Sequence, residues 1–250
     1  MKFIRFKTDK VEMKGILENN KIRRVVGNIF TDFTVLDEYY DISEIHFLPP
    51  VRPSKIICVG RNYAAHAMEL NNPIPKRPLL FLKPPSAIIG TDEIIKLPNI
   101  SNRVEFEGEL AIVIGKKGSH IKSEDALNYI FGYTCFNDVT ARDIQLEEKN
   151  FTTAKSFDTF APFGPCIANN LSVDNINIKT FVNGQIKQNG YTKDMIFNIP
   201  DLISFISSVM TLQPGDIIAT GTPMGVGALK KGDVVEVVID EIGTLKNIVD

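Results

Sequence analysis

The segment VEFEGELAIVIG, residues 104–115, sets Glu105, Glu107 and Glu109 at alternate positions directly ahead of an apolar run. On a strand, residues two apart point to one side. Three carboxylates on one face repel each other unless water or a cation separates them. The segment is therefore either a solvated strand edge or part of a cation site. A further acid, Asp138, closes GYTCFND and precedes the polar turn VTARD. Carboxylates converging from two strand ends, with no nearby Cys or paired His, suit a hard cation such as Mg²⁺ or Mn²⁺. Zinc would ordinarily take His or Cys.

Two other stretches carry groups with chemical potential. GRNYAAHAMEL (60–70) holds His66 and Glu69 three residues apart, on one face if the segment turns into helix. A carboxylate set against an imidazole holds its tautomer, as a general base requires; the alternative is an ordinary surface contact. ATGTPMGVGALKKGD (219–233) is rich in glycine and could turn backbone N–H groups and the Thr222 hydroxyl toward an anion, or be simply a turn. It lacks the GK[ST] of a P-loop, so nucleotide binding is not supported.

The elements that must position these groups are mostly strands. KIICVG (55–60), LAIVIG (110–115), GYTCFND and GDIIATG (215–221) are short apolar runs ending in Gly or a polar residue. Asn183–Gly184 and Glu241–Ile242–Gly243 mark two hairpins. Residues 1–50 read as a strand and a hairpin broken at Asn19–Asn20, with loop acids Asp37, Glu38 and Asp41, before prolines 49, 50 and 53 punctuate the chain. Helices are fewer: SEDALNYI (123–130), with Ser123 as its cap, and IPDLISFISSVM (199–210), with a stripe of Leu202, Ile203, Ile206, Val209 and Met210. The pattern predicts a mixed, mainly β fold with short peripheral helices.

Composition narrows the partners. In 250 residues, 28 Lys+Arg face 30 Asp+Glu, a net charge of −2 that leaves no electrostatic footprint for nucleic acid or an anionic membrane. The N-terminal MKFIRFKTDK has no signal-peptide h-region, and no apolar run approaches the ~18 residues of a membrane span. Cys58, Cys135 and Cys166 are sparse and form no CxxC, which suits reduced thiols in a cytoplasmic protein.

Taken in order, KIICVGRNYAAHAMEL, LFLKPPSAIIG, FEGELAIVIGKKG, GYTCFNDVTARDIQ, TAKSFDTFAPFGP, VNGQIKQ and LQPGDIIATGTPMGVG resemble the fumarylacetoacetate hydrolase family over residues 55 to 249. The resemblance implies a β-sandwich roll at residues 53–250, a small N-terminal domain at 1–52 as in shorter bacterial and archaeal members, and a homodimer. It further implies Mg²⁺ or Mn²⁺ held by Glu107, Glu109 and Asp138, with Glu105 a flanking acid. His66 and Glu69 correspond to the family's lid dyad, Lys155 in TAKS to its active-site lysine, and Arg61, Gln145 and Thr222 to substrate contacts. The stretch between Gln145 and Lys155 is compact compared with some relatives, which would reshape the pocket rim.

The activity implied is hydrolysis of a C–C bond in an acylpyruvate-type β-diketo acid through an enolate, within the chemistry of aromatic catabolism. The alternatives are an isomerase or decarboxylase of 2-hydroxyhepta-2,4-diene-1,7-dioate or oxaloacetate-type keto acids, and, from another class, a non-catalytic small-molecule-binding module. The polar, Pro-broken stretch from Tyr63 to Lys76 is expected to act as a lid over the site.

Overall fold

The strand Gly108–Ile114 is buried at every position, which is why its sequence is a continuous apolar run and not an alternating one. Its two faces serve two cores. Leu110, Ile112 and Ile114 pack in one cluster with Leu202, Ile203 and Ile206 of the helix Ile199–Val209, while Ala111 and Val113 join Phe136, Phe163 and Ile56 in another. In this computed structural model, which describes residues 1–9 and 11–250, that strand lies inside a twelve-stranded sheet. Its neighbours are Ile130–Asn137 and Ile217–Ala219, followed outward by Ile56–Gly60 and the edge strand Leu79–Lys83.

The N-terminal strands extend the same sheet. Lys2–Lys7, Glu12–Glu18, Lys21–Gly27 and Phe33–Asp41 form a meander, and Phe3 pairs with Ile167 of the strand Ala161–Ala168. Asn19 and Asn20 both take positive φ in the turn between the second and third strands. Asp37, Glu38 and Asp41 lie on the fourth strand and not in a loop, because Tyr39, Tyr40 and Asp41 pair with Arg23, Ile22 and Lys21. A five-stranded sheet holds both expected hairpins: Asn177–Val182 with Gln185–Tyr191, and Val234–Ile239 with Gly243–Val249.

The helices follow the sequence with two corrections. Asn198 caps Ile199–Val209 by accepting the Asp201 N–H at 2.9 Å, and Pro200 sits in the first turn. Met210, past the last turn, completes the apolar stripe, whereas Val209 is 60% exposed. Residues Ser123–Tyr129 form a 3₁₀-helix with Ala126 its one buried residue; Lys122 occupies the cap position, and the Ser123 hydroxyl instead donates to Asp201 at 3.0 Å.

A small third sheet matters most for chemistry. Val104–Phe106 pairs on one side with Thr140–Ala141 and on the other with Gly227–Ala228. It thereby draws the acidic segment, the VTARD turn and the glycine-rich loop to one end of the large sheet.

Candidate active site

Glu107 stands between the strands Val104–Phe106 and Gly108–Ile114 and belongs to neither. Its N–H donates to Asn137 Oδ1 at 3.0 Å, and its carbonyl accepts the Asp138 N–H at 2.8 Å, so the two acid-bearing segments brace each other. This break separates Glu105 from the other acids. Glu105 is bonded to Arg103 and to Arg142. Glu107, Glu109 and Asp138 instead converge, with one oxygen of each within 4.8 Å of the others. They are 5%, 2% and 1% exposed, which overturns the solvated-edge alternative.

Buried carboxylates need partners. Glu107 takes Arg142 and Lys155, the latter at 2.9 Å, and Asp138 takes Lys155 and Lys83. Lys83 and Arg142 were not singled out from the sequence. Lys83 closes an apolar strand and Arg142 opens a short helix, so each reads there as an element boundary. The only available signal is that a buried acid cluster demands cations.

Burial pushes Glu107 up, but Lys155 and Arg142 outweigh it and hold its carboxyl below the usual range. Glu109 behaves oppositely. Burial, then the charges of Asp138 and Glu107, raise it well above the ordinary glutamate value. Its hydrogen-bond partner is the Gly221 N–H at 2.8 Å, and among the described residues it forms no ion pair. An all-oxygen, anionic, buried cluster with one uncompensated carboxylate fits a divalent hard cation. Glu107, Glu109 and Asp138 are the residues that would hold it.

The second reactive group sits on the helix Ala64–Glu69. Its entry is fixed by Asn62, fully buried, whose side chain donates to Phe197 O and Thr220 O and accepts the Phe197 N–H. His66 is 5% exposed, with Nδ1 3.1 Å from Glu69 Oε2. A carboxylate can only accept, so Nδ1 carries the proton toward Glu69, and in the neutral ring Nε2 then holds the lone pair. The other Glu69 oxygen accepts the Gly225 N–H at 2.9 Å. The glycine-rich loop thus does meet carboxyl groups, and they are the protein's own: Gly221 serves Glu109 and Gly225 serves Glu69.

The remaining residues border the same space. Gln145 accepts from Arg142, and Thr222 donates to Gly108 O at 2.9 Å while accepting from Gln188 at 2.7 Å. Phe81 stacks on Phe151 at 4.7 Å and lies 4.9 Å beneath the Lys155 ammonium. All nine residues expected to form the site, from Arg61 to Thr222, line one cavity of about 570 Å³, together with Phe81, Phe151, Arg142 and Lys149. No helix of the described residues is long and apolar enough to cross a membrane.

Known proteins share this arrangement of chain. The family description "Fumarylacetoacetate (FAA) hydrolase C-terminal" matches residues 55–250, and "Rv2993c-like, N-terminal" matches residues 1–50. Oxaloacetate tautomerase YisK of Bacillus subtilis is 45% identical over 223 residues, 83% of this chain and 74% of that protein. The crystal structure of 5-carboxymethyl-2-hydroxymuconate delta-isomerase from Mycobacterium smegmatis superposes with a TM-score of 0.94 at 38% identity, covering 100% of this chain and 99% of that one. Fumarylpyruvate hydrolase from Pseudomonas aeruginosa, solved with Mn²⁺ and pyruvate, gives a TM-score of 0.75 at 33% identity over 82% of this chain and 91% of that one. With nearly four fifths of its length matched by that C-terminal description and its whole mainly β architecture shared with these structures, the chain belongs to the fumarylacetoacetate hydrolase family of enzymes.

Proposed function

We propose that the protein is a Mg²⁺- or Mn²⁺-dependent enzyme that moves a proton at C3 of an oxaloacetate-type 2-keto dicarboxylate, interconverting keto and enol forms. The observation that carries this reading is the single cavity joining the acidic triad, the His66–Glu69 dyad and the cations Arg61, Arg142 and Lys149. A divalent ion bound by the triad would supply Lewis-acid polarisation of the substrate's carboxylate and keto oxygens. His66 Nε2, freed by the Nδ1–Glu69 bond, takes the C3 proton, and the resulting imidazolium returns it to the enolate oxygen to give the enol. Lys155 places a positive charge at the floor of the site, where negative charge develops on the enolate oxygen. Arg61 and Lys149 offer charge to the distal carboxylate. The higher identity to an oxaloacetate tautomerase than to the hydrolase supports this choice.

Hydrolysis of an acylpyruvate is the second reading, and the stacked Phe81–Phe151 wall favours it, since it gives a longer acyl tail an apolar face. There His66 would deprotonate a water that attacks the distal carbonyl. We take the catalytic unit to span residues 53–250 and to act as a homodimer, with residues 1–52 as an appended domain; the separate family matches support that division.

The test is a panel of oxaloacetate and acylpyruvates with Mn²⁺. His66→Ala is expected to slow tautomerisation by ~10²-fold or more, within the usual range for a general base. Oxaloacetate decarboxylation, which needs charge stabilisation but no base, should fall less. Parallel losses in both assays would make His66 a substrate-positioning group, and turnover of acylpyruvates alone would favour the hydrolytic reading. Because the dyad helix is latched through Glu69 to Gly225, oxalate with Mn²⁺ is expected to slow proteolysis within residues 63–76. Equal cleavage with and without oxalate would remove the closing role of this segment.

A further inference from the structure

Gln188 lies on Gln185–Tyr191, the outermost strand of the five-stranded sheet, far in sequence from any acid of the site. Residues Gln185, Ile186 and Lys187 of this strand are exposed, yet Gln188 is fully buried and all the hydrogens of its amide group are used. Its Oε1 accepts the Gly108 N–H at 2.9 Å. Its Nε2 donates to Thr222 Oγ1 and to Pro223 O, both at 2.7 Å. Thr222 in turn donates to Gly108 O at 2.9 Å. Gly108 is the single residue between Glu107 and Glu109, and both sides of its peptide unit are therefore held by one pair of side chains.

The backbone at that point is also tightly packed. A Cβ on Gly108 would lie 2.0 Å from Thr180 Oγ1, so the strand carrying the acids runs directly against the five-stranded sheet with no room for a side chain of its own. A Cβ on Gly225 would lie 2.1 Å from Lys187 O, so the loop that receives Glu69 is pressed on the same edge strand. One amide thus ties the spacing of Glu107 and Glu109 to the loop that seats the dyad.

We infer that Gln188 is a positioning residue for the cation site: it fixes the Glu107–Gly108–Glu109 backbone so that both carboxylates reach one ion. This rests on the reading of the triad as a cation site. Partners that orient a metal's ligands are typically worth 10- to 100-fold in affinity or activity. Gln188→Met keeps the side-chain length and removes all three hydrogen bonds; Gln188→Asn keeps an amide but retracts it from Gly108.

The experiment is Mn²⁺ titration of the full chain followed by electron paramagnetic resonance, with circular dichroism to establish folding. Both variants are expected to show a wild-type dichroism spectrum, Mn²⁺ affinity lowered about 10- to 100-fold, and an altered spectrum of the bound ion. Gln185→Ala, exposed on the same strand, should match wild type. A folded variant with unchanged affinity and an unchanged Mn²⁺ spectrum overturns the inference and leaves the triad reading standing. Failure of both variants to fold, with or without Mn²⁺, also overturns it, because Gln188 is then a core residue only. Wild-type protein that binds no Mn²⁺ overturns the triad reading, and this inference with it.

Discussion

Glu109→Gln protein is expected to bind Mn²⁺ about 10²-fold more weakly than wild type, or worse, while its metal-free form unfolds at a higher temperature. The two effects have one cause. Glu109 is a buried carboxylate beside Asp138 and Glu107 without a cation of its own, and the fold raises it well above the ordinary glutamate value. Glutamine keeps an oxygen for the Gly221 N–H but carries no charge, so a strained functional site is relaxed by about 0.5–2 kcal/mol.

The sign of the pH dependence follows. Above the ordinary glutamate range the unfolded chain has released a proton that the metal-free fold still holds, so wild-type stability falls as pH rises through that window. The variant lacks this slope, and its advantage should widen with pH. Thermal unfolding of EDTA-treated wild type and variant at about pH 5 and about pH 8 measures it. A variant less stable at both values, or one with unchanged Mn²⁺ affinity, would contradict the role given to Glu109.

Lys155→Met should behave as the mirror image. Lys155 is 2% exposed and lies between Glu107 and Asp138, so removing its charge leaves Glu107 with Arg142 alone and Asp138 with Lys83 alone. Breaking a buried pair in this way costs about 3–5 kcal/mol. Saturating Mn²⁺ supplies positive charge to the same two acids, so the deficit measured by urea unfolding should narrow when Mn²⁺ replaces EDTA. Turnover should stay depressed by about 10²-fold, since in the proposed reaction the Lys155 ammonium would no longer face the developing enolate charge. An equal stability loss with and without Mn²⁺ would mean that the cation binds away from these acids.

The parts of the site legible in the sequence are those whose spacing carries the chemistry. Glu107 and Glu109 are two apart beside an apolar strand, and His66 and Glu69 are three apart on one helical turn. Local periodicity places His66 with Glu69 and all three of Glu105, Glu107 and Glu109 on one face, and the family resemblance is what singles out Glu107 and Glu109. Alternation fails at Glu105, because the strand breaks at Glu107 and no sequence signal marks that break. Lys83, Arg142 and Gln188 stand in the quoted motifs LFLKPPSAIIG, GYTCFNDVTARDIQ and VNGQIKQ, yet local spacing gives them no role, for a related reason. Each becomes part of the site through a partner 34 to 80 residues away, such as Lys83 with Asp138 at a separation of 55 or Gln188 with Gly108 at 80. The strands themselves were legible wherever a buried run ended in glycine or asparagine. The polarity of the acids at 37–41 suggests a loop, but strand pairing decides their conformation.

The small sheet Thr140–Ala141, Val104–Phe106 and Gly227–Ala228 gives the site a high contact order. Loop-closure entropy must be met before such distant segments pair, so non-local contacts of this kind are costly to form. Gly221 and Glu109, 112 residues apart, come together only when strands from both halves of the chain have docked. The chelating geometry therefore depends on segments far apart in the chain being docked together. A cation that binds only the finished arrangement pulls on the whole folding equilibrium and stabilises it in proportion to the logarithm of its concentration above Kd. In a cell, the free divalent-ion level would then act on the lifetime of the folded chain as well as on its turnover.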